Sequence, residues 1–551
     1  MKAEEYLGQI LREKIATFVK DSAETVPIEF ETPRDDRFGD IATNVAMRLA
    51  RALKKNPRQI ATELLQGIEW DEDFVESVQI AGPGFINFVL SKKYFQTYLA
   101  QVLREGEAAF GKSQFGGGKR VMVEFVSANP TGPLNVVSAR AASVGDTMVH
   151  VMNRVGFDAR REYYVNDAGR QVRLLGASVS SRYCELLGVE EAFPEEGYHG
   201  AYVYDIAKKI IEKYGDKFLH MEYNARVDAL KTLALNLIFA DQKKVLEDFR
   251  VHFDNFFHES ELRKSNAEKD VLAHLAQKNL TYEKDGAIWF KASEFGDEKD
   301  RVLITQKGEP TYFFIDVAYH KNKFDRGFEK VIDLLGPDHH GYIPRMRAAL
   351  LALGFADEAF DVKIIQQVNL FRGGEVVKMS KRAGQIVTMR ELVDEVGVDA
   401  ARFFFLMRRI STPLDFDIDL AKRQTDENPV YYVQYAHARI ANILRYGEEQ
   451  GVRFNPNCDL TRLVEAAEMA LIKKMMAFPE LLIRIARNFE PNALTQYLQE
   501  LAEVFHRFYH DHRVISEDRA LSEARIALSK AVQIVLAIGL HLMGITAPEK
   551  M

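Results

Sequence analysis

The feature that most constrains the fold is an apolar strand followed by a polar loop and a long helix. Residues 121–126 form an apolar run that only Glu124 interrupts, residues 127–135 are rich in Asn, Pro, Thr and Gly, and residues 136–154 follow a helical pattern. A buried strand that leads through a loop into a helix is typical of the first unit of a parallel α/β sheet. We therefore predict a parallel-sheet domain with this loop at the carboxyl end of a strand.

A small α+β domain is predicted before this unit, over residues 1–112. Its first helix is expected to span residues 3–20, and extended segments follow at 78–80 and 84–89 with a Gly-Pro-Gly turn between them. The residues expected on the buried stripe of the first helix are Leu7, Leu11, Ile15 and Phe18.

The parallel-sheet domain is predicted to span residues 113–392, and a carboxyl-terminal domain residues 393–551. Charged residues at about 185–300 are expected to form a helical insertion in the sheet domain. From residue 393 onward the apolar spacing is helical throughout, which predicts a helical bundle. Further strand-like segments of the sheet lie at 161–164, 331–335 and 362–368.

Composition excludes several classes of protein. A hydrophobic fraction of 47% excludes a wholly disordered chain, and 73 basic against 80 acidic residues argue against a histone-like protein. The two cysteines, Cys184 and Cys458, have no neighbours at metal-ligand spacing, and so few cysteines fit a reducing cytosol. The most apolar stretch, 531–545, is too short to span a membrane and predicts a core helix instead.

The strongest chemical signal is the segment VKMSKRAG at 377–384. Lys378 and Lys381 lie three residues apart among glycines, which indicates a mobile cationic loop. Such a loop suits a nucleoside triphosphate, because negative charge that grows on departing pyrophosphate is stabilised by cations already in place. The alternative is a solvated basic surface loop.

The polar loop 127–135 is the second signal. Ligands bind at the carboxyl ends of strands in open α/β sheets, and the amino terminus of the following helix favours phosphate. The alternative is a plain connection between strand and helix that binds nothing.

Together the two segments resemble class I aminoacyl-tRNA synthetases, whose catalytic domain is Rossmann-like. Across essentially the whole chain the resemblance is to arginyl-tRNA synthetase of the bacterial type, which implies an amino-terminal domain that contacts tRNA and a helical domain that binds the anticodon. The segments that carry it are FGDIATNVAMRLA (38–50), AGPGFINF (81–88), SANPTGPLNVVSARAASVGD (127–146), REYYVNDAGRQV (161–172), GEPTYFFIDVAYHKNKFDRGF (308–328), LLGPDHHGYIPR (334–345), VVKMSKRAG (376–384), VDAARFFFL (398–406), NPVYYVQYAHARI (428–440) and ITAPEKM.

One segment departs from the family pattern. The family carries a His-x-Gly-His signature at the start of the helix, and this chain has Asn135-Val136-Val137-Ser138. Asn135 and Ser138 can donate hydrogen bonds to phosphate or ribose, but neither can carry a positive charge. Val137 adds bulk where the family's glycine lets adenine lie against the helix.

The resemblance also implies an arginine site. A planar cation with five donors is matched by a carboxylate and further acceptors. For Glu124 the alternative is a structural ion pair, and for Asn129 a turn before Pro130; for Asp316 it is a helix N-cap, and for Tyr312 core packing. The residues implied in substrate binding are Glu124, Ser127, Asn129, Tyr312, Asp316 and His339.

ATP, bound together with Mg²⁺, is the implied cofactor. Catalysis by placement and electrostatics is assigned to Lys378, Lys381, Asn135 and Ser138. Asp338, His339 and His340 are adjacent, but no third ligand follows at metal spacing, so no protein metal site is predicted. The implied ATP-binding residues are Pro133, Asn135, Val137, Ser138, Asp338, Met379, Ser380 and Lys381.

Contacts with tRNA are implied in both outer domains. Aromatic and cationic side chains alternate along residues 431–439, a pattern that can stack single-stranded bases and hold phosphate. The alternatives are that these tyrosines are core residues, and that the amino-terminal candidates only shape a turn and cap a helix. The implied contact residues are Phe38, Asn44, Tyr435, Arg439 and Met551.

The resemblance implies a monomeric, cytoplasmic arginine–tRNA ligase without a membrane partner. ATP would activate arginine to an adenylate, with tRNA bound, and the arginyl group would pass to the 3′ end of tRNA(Arg). One alternative is a synthetase-like protein that binds tRNA but activates weakly, because of the altered signature at 135–138. Another is a class I ligase for cysteine or glutamate, against which TYFFID and NPVYYVQYAHAR argue.

Overall fold

The computed structural model describes residues 2–18, 26–33, 35–377 and 387–551. The predicted fold class is confirmed: a parallel α/β sheet lies between a small amino-terminal unit and a carboxyl-terminal group of helices. The amino-terminal elements are α1 (Ala3–Phe18), β1 (Phe30–Glu31), β2 (Ile41–Thr43), α2 (Val45–Leu53), α3 (Pro57–Leu65), β3 (Val75–Ala81), β4 (Phe85–Leu90) and α4 (Lys92–Ala109).

The amino-terminal unit is built on a four-stranded antiparallel sheet in the order β1-β2-β4-β3. Helix α1 packs on it through the predicted apolar stripe, since Leu7, Leu11 and Ile15 are at most 1% exposed. The side chain of Phe18 lies outside the described residues.

The central part contains a five-stranded parallel sheet in the order β12-β11-β5-β6-β7 and two smaller sheets, β10-β9-β8 and β14-β13-β15. Its elements, with the strand that closes the last sheet, are β5 (Arg120–Glu124), α5 (Val136–Arg154), β6 (Asp158–Val165), α6 (Arg170–Leu186), α7 (Ala201–Tyr214), α8 (Tyr223–Asp248), β7 (Asn255–His258), α9 (Glu259–Ser265), α10 (Ala267–Gln277), β8 (Thr281–Lys284), β9 (Ala287–Phe290), β10 (Arg301–Ile304), α11 (Tyr312–Asp325), β11 (Lys330–Leu335), α12 (Tyr342–Leu353), β12 (Phe360–Ile364), β13 (Val368–Arg372), β14 (Glu375–Val376), α13 (Met389–Val396) and β15 (Leu414–Asp417).

The strand order reverses at β5. The chain runs from β5 outward through β6 to β7 and then returns to the other side of β5 with β11 and β12. In an open α/β sheet such a reversal leaves a crevice at the carboxyl ends of the two strands that flank it, here β5 and β11. The loop 127–135 and the segment after Leu335 both begin at this crevice.

Two parts of the predicted organisation are corrected. The region 185–300, expected to be a helical insertion, contains β7 of the main sheet and the antiparallel sheet β10-β9-β8. Four residues of β7 are too few for their periodicity to distinguish a strand from a helix. The region from residue 393, expected to be helical throughout, contains β15, which pairs with β13 across the predicted boundary at 392/393.

The carboxyl-terminal helices bury the most apolar segment of the chain. The longest of them, α20, meets the length and composition of a membrane span, but 89% of its apolar window is buried inside the protein, which agrees with the predicted core helix. These helices are α14 (Val398–Leu406), α15 (Ile418–Lys422), α16 (Pro429–Glu449), α17 (Ala466–Met476), α18 (Phe478–Asn488), α19 (Asn492–Asp511) and α20 (Arg519–Leu542).

A buried guanidinium joins the helical part to the sheet. Arg402 of α14 is 0% exposed and forms an ion pair with Asp146 of α5. It also donates to the carbonyl oxygens of Met543, at 2.5 Å, and Phe249, at 2.9 Å. Burial by itself raises the pKa of Asp146, but the charges of Arg402, His150 and Arg161 hold it below its usual value. The helix that follows the loop 127–135 is therefore anchored to three distant segments.

Candidate active site

Three carboxylates lie side by side across the middle of the parallel sheet. Asp333 on β11 is in register with Glu124 on β5, and Glu124 is in register with Glu162 on β6. All three are at most 8% exposed. Uncompensated charges at this depth would cost far more than folding can supply, so their partners determine the structure of the site.

Helix α11 supplies those partners. The Lys323 ammonium donates to Glu124 Oε2 at 2.5 Å and to Asp333 Oδ1 at 2.9 Å. Burial lowers the pKa of Lys323, but Asp333 and Glu124 outweigh it and keep the ammonium charged. Glu162 accepts from the Tyr319 hydroxyl at 2.7 Å and from both terminal nitrogens of Arg326. These contacts fix α11 against the sheet, with its amino end toward the carboxyl ends of the strands and its carboxyl end beside Arg120 at the start of β5.

Asp316 lies on the same helix without such a partner. The N-cap of α11 is Thr311, so Asp316 sits inside the helix and the alternative of an N-cap aspartate is wrong. Among the described residues, its carboxylate accepts no hydrogen bond and forms no ion pair. Burial, together with the charges of Glu124 and Glu259, raises the pKa of Asp316 to about 7. This is a carboxylate placed to receive a cation.

Two tyrosines lie on the elements around this carboxylate. Tyr312, one helical turn before Asp316, is 68% exposed, so it is not a core residue, and its hydroxyl lies beside Gly169 after β6. Tyr342 at the start of α12 was not among the predicted site residues, although it belongs to the segment LLGPDHHGYIPR. Its pKa is raised by burial and then by the charges of Asp316 and Asp333, which places its hydroxyl in the same acidic environment.

The segment after β11 borders the crevice from the other side. Asp338 and His339 lie in a single 3-10 turn, Pro337–His339, and both are exposed, as is His340. Nowhere in the described ranges do three His, Cys, Asp or Glu side chains group so that they could hold a metal ion.

The loop after β5 begins with a strained backbone. Val126 and Ser127 have φ of 68° and 38°, a region that branched residues rarely adopt. The Ser127 hydroxyl donates to Glu124 Oε1 at 2.8 Å and accepts from the Tyr164 amide at 3.1 Å, which holds this turn. The side-chain oxygen of Asn129 accepts no hydrogen bond from a described residue, so there is no Asx turn before Pro130; its amide nitrogen donates to Gln171 Oε1 at 2.7 Å. Glu124 itself is paired with Lys323, as its structural alternative expects.

The altered signature caps helix α5. Asn135 Oδ1 accepts from the amides of Val137 and Ser138, both at 3.0 Å, and lies 3.3 Å from the Ser138 hydroxyl. The amide oxygen of Asn135 is thus used for capping, and its Nδ2 group donates to no described residue. Pro133 is exposed, and Val137 and Ser138 are half-buried.

The cationic loop predicted to bind triphosphate falls mostly outside the described residues. Lys378, Met379, Ser380 and Lys381 all lie in the undescribed range 378–386. The described residues that follow this range lie beside the signature. Thr388 pairs with Asn135 in an isolated β-bridge, and the Met389 amide donates to Leu134 O at 2.8 Å.

An aromatic and cationic ladder runs along the surface of α16. The rings of Tyr431 and Tyr435 stack at 6.1 Å, and the Arg439 guanidinium lies 4.4 Å from the centre of the Tyr435 ring. Arg439 also donates to the Tyr435 hydroxyl at 2.7 Å and lies 3.0 Å from His506 Nδ1. Burial and the Arg439 charge lower the pKa of His506 to about 4, so this imidazole is neutral. All three ladder residues are half-buried, so they are not core residues.

The remaining predicted tRNA contacts are at the surface or near it. Met551 is 50% exposed and lines a cavity of about 720 Å³ together with Tyr431 and Arg423. Phe38 is 47% exposed. Asn44 makes no capping hydrogen bond; its side chain accepts from Arg48 Nε at 3.1 Å.

Comparison with known proteins identifies the parts of the chain. Three families match: "Arginyl tRNA synthetase N terminal domain" over residues 5–90, "tRNA synthetases class I (R), catalytic domain" over 99–406, and "DALR anticodon binding domain" over 433–551. Arginine–tRNA ligase 1 of Halalkalibacterium halodurans is 46% identical, and arginine–tRNA ligase of Bacillus subtilis is 45% identical; each alignment covers 100% of both chains.

Solved structures share the fold. Arginyl-tRNA synthetase of Thermus thermophilus superimposes with a TM-score of 0.75 at 23% identity, over 98% of this chain and 100% of the other. The enzyme of Plasmodium falciparum superimposes with a TM-score of 0.74 at 16% identity, over 99% of each chain. At these identities the likeness concerns the fold alone.

Replacing Lys323 with methionine is expected to destabilise the protein strongly. The change leaves Glu124 and Asp333 buried without their cation, and breaking a buried pair from one side costs about 3–5 kcal/mol. The free energy of unfolding, measured by urea denaturation, should fall by that amount. Lys321→Met is the matched control, because it removes a pair with Asp325 nearer the surface that contributes about 0–1 kcal/mol. Equal losses in both variants would contradict this account.

Proposed function

The chain belongs to the arginyl-tRNA synthetase family and is an arginine–tRNA ligase with a class I catalytic domain, and from that premise we propose how its own residues carry the reaction. The enzyme uses ATP to activate arginine and transfers the arginyl group to tRNA(Arg). None of the comparisons supports the alternative of a synthetase-like protein without activation, or of a ligase for cysteine or glutamate.

The arginine guanidinium binds Asp316. The observation that carries this assignment is the pairing of charges in the pocket: Lys323 and Arg326 pair with the three carboxylates on the strands, and Asp316 is the one of these four carboxylates that forms no ion pair with a described residue. A guanidinium offers the charge and the planar set of donors that such a carboxylate needs. Tyr312 and Tyr342 flank the bound side chain. A neutral amino acid would leave Asp316 charged and unpaired, which is the basis of its rejection.

Glu124 and Ser127 act mainly by holding the turn after β5, because each is already bonded to the other, and Lys323 also pairs with Glu124. Asn129, at the exposed end of the loop, contacts the arginine α-amino group, with Gln171 orienting its amide. His339, across the crevice on the turn after β11, completes the site for the amino acid.

ATP lies over the start of α5. Pro133, Val137 and Asp338 line its binding site, and the segment with Met379, Ser380 and Lys381 covers it from the flank that Thr388 tethers to Asn135. Lys378 and Lys381 stabilise the charge that develops on the leaving pyrophosphate. Mg²⁺ enters with ATP, since such ions are held largely by substrate phosphates and need few protein ligands.

The asparagine signature changes how the helix end contributes. Asn135 keeps the amino terminus of α5 capped through its oxygen, and the Nδ2 group that remains can donate to phosphate. Ser138 adds a second neutral donor. Activation therefore depends on Lys378 and Lys381 for positive charge more than in relatives with two histidines.

The helical domain reads the anticodon through the ladder on α16. Tyr435 stacks a base while Arg439 fixes its ring and neutralises a neighbouring phosphate. Met551 lies at the adjacent cavity, and Phe38 and Asn44 contact the tRNA from the amino-terminal unit. We further propose a monomer in the cytoplasm, on the family resemblance and the low cysteine content.

Arginine affinity is expected to depend on pH through Asp316. Its pKa of about 7 in the free site means that a rising fraction is protonated below pH 7, and only the carboxylate pairs with guanidinium. The dissociation constant should therefore be about tenfold higher at pH 6 than at pH 8, and flat above pH 8. Titration calorimetry in buffers of different ionisation enthalpy should show proton release near pH 7. Asp316→Asn should weaken binding and abolish this dependence; an unchanged affinity in that variant would move the guanidinium pocket elsewhere.

Asn135→Asp is expected to separate capping from ATP binding. Aspartate caps a helix as well as asparagine does, so the free energy of unfolding should stay within about 0.5 kcal/mol of the wild type. A carboxylate beside the triphosphate should raise the KM for ATP in ATP–pyrophosphate exchange at least about tenfold. Asn135→Ala is the complementary variant and should lose about 1 kcal/mol of stability. An unchanged KM for ATP in Asn135→Asp would place the triphosphate away from α5.

Arg439→Gln is expected to weaken tRNA binding without slowing the chemistry. Loss of the bond to Tyr435 frees its ring and removes one phosphate contact, which should raise the KM for tRNA about tenfold in aminoacylation at saturating ATP and arginine. The kcat should stay within twofold. Arg519→Gln is a charge-matched control at the far end of the domain, where the side chain pairs with Glu523. If the KM for tRNA rises equally in both variants, the effect is one of overall charge and not of a specific contact by Arg439.

A further inference from the structure

The peptide carbonyls of the loop after β5 are held by side chains from outside it. The Tyr163 hydroxyl donates to Ala128 O at 2.8 Å, and the Tyr202 hydroxyl donates to Thr131 O at 2.8 Å. Gln242 Nε2 donates to two carbonyls, those of Gly132 at 2.7 Å and Asn129 at 3.2 Å. Four of the five carbonyls between residues 128 and 132 are thus bonded to just three side chains.

Two of these side chains come from the helices between β6 and β7. Tyr202 lies on α7 and Gln242 on α8, and Gln242 is 1% exposed, with its Oε1 3.2 Å from the Tyr163 hydroxyl. Its nitrogen bonds to the loop and its oxygen accepts from Tyr163 on β6. Such a buried amide does more than fill a helix interface, because an apolar side chain would pack there without the cost of burying polar atoms.

Because the peptide group is planar, these contacts also set the direction in which the neighbouring N–H groups point. All peptide bonds of the loop are trans, so each carbonyl points opposite to the N–H group of the next residue. Bonds to Ala128 O and Thr131 O therefore aim the N–H groups of Asn129 and Gly132 away from the tyrosines. The two carbonyls that Gln242 binds precede Pro130 and Pro133, which have no N–H group.

The N–H groups of Asn129 and Gly132 are available to bind a ligand. Within the described residues, the N–H groups of Asn129 and Gly132 donate no hydrogen bond. Both lie between the strained turn at Val126 and Ser127 and the amino terminus of α5, where negative charge is favoured.

We propose that Gln242 and Tyr202 are positioning residues for arginine activation, which hold the loop so that the N–H groups of Asn129 and Gly132 donate to an anionic oxygen of ATP or of the arginine carboxylate. Helices α7 and α8 thereby contribute to the active site. The inference rests on the proposed placement of ATP and arginine at this loop.

Tyr202→Phe and Gln242→Met test the proposal, because each removes the donors and keeps the size of the side chain. In arginine-dependent ATP–pyrophosphate exchange with tRNA present, kcat should fall about 10- to 100-fold, as for a small misplacement of reacting groups. The KM for tRNA should stay within twofold. Tyr204→Phe is the matched control on the same helix, since its hydroxyl bonds to Glu185 and not to the loop; it should keep the wild-type kcat.

Hydrogen exchange of backbone amides distinguishes positioning from folding. The proposal expects faster exchange at residues 127–135 in both variants, with unchanged exchange across α6, α7 and α8. A kcat within twofold of the wild type in both variants, or equally faster exchange throughout those helices, would overturn it. Tyr202→Phe removes only one oxygen atom, so it still tests the proposal if Gln242→Met unfolds. A wild type without arginine-dependent exchange would instead refute the proposed function.

Discussion

The buried ammonium of Lys323 is the interaction on which the rest of the site depends. It lies between Glu124 and Asp333, on two neighbouring strands that flank the reversal of strand order. Without it, two carboxylates would face each other in the interior and lose the ammonium that both contact, which is strongly unfavourable. With it, α11 is held against the sheet, and Asp316, which forms no ion pair with a described residue, is the carboxylate to which we assign the substrate cation. On the proposed assignment, specificity for arginine follows from the charge balance among these four side chains, and only Asp316 needs to touch the substrate.

The catalytic loop is assembled from parts that are far apart in the chain. Its backbone follows β5, its carbonyls are held from α7 and α8, and the helix after it is anchored by Arg402 to the carboxyl-terminal helices. The strained turn at Val126 and Ser127 persists because these contacts over-determine it. If substrates bind there as proposed, such a loop loses little entropy on binding, and this preorganisation is what a reaction without a side-chain nucleophile requires.

The altered signature shows how a helix terminus can keep its structural role while it loses charge. Asn135 caps α5 through two backbone amides, a function that any short side chain with an oxygen acceptor can perform. What the neutral signature cannot supply is a cation at the phosphates, and in the proposed mechanism Lys378 and Lys381 supply that charge. Where catalysis depends on electrostatic stabilisation by several segments, one signature can thus lose its charge while the fold stays intact.

The sequence by itself determined the parallel sheet, helix α5, the buried stripe of α1 and the family, because these depend on local periodicity and on motifs that are contiguous in the chain. It did not predict β7 or β15, each of four residues, whose strand state comes from pairing with distant partners. Only the tertiary structure decided that Glu124 is paired with Lys323, that Asp316 is not a cap, and that Gln242 and Tyr202 hold the loop. The contacts of Lys323 with Glu124, and of Gln242 and Tyr202 with the loop, span 71 to 199 residues, and spacing along a chain carries no information about which groups meet when a helix folds back onto a sheet.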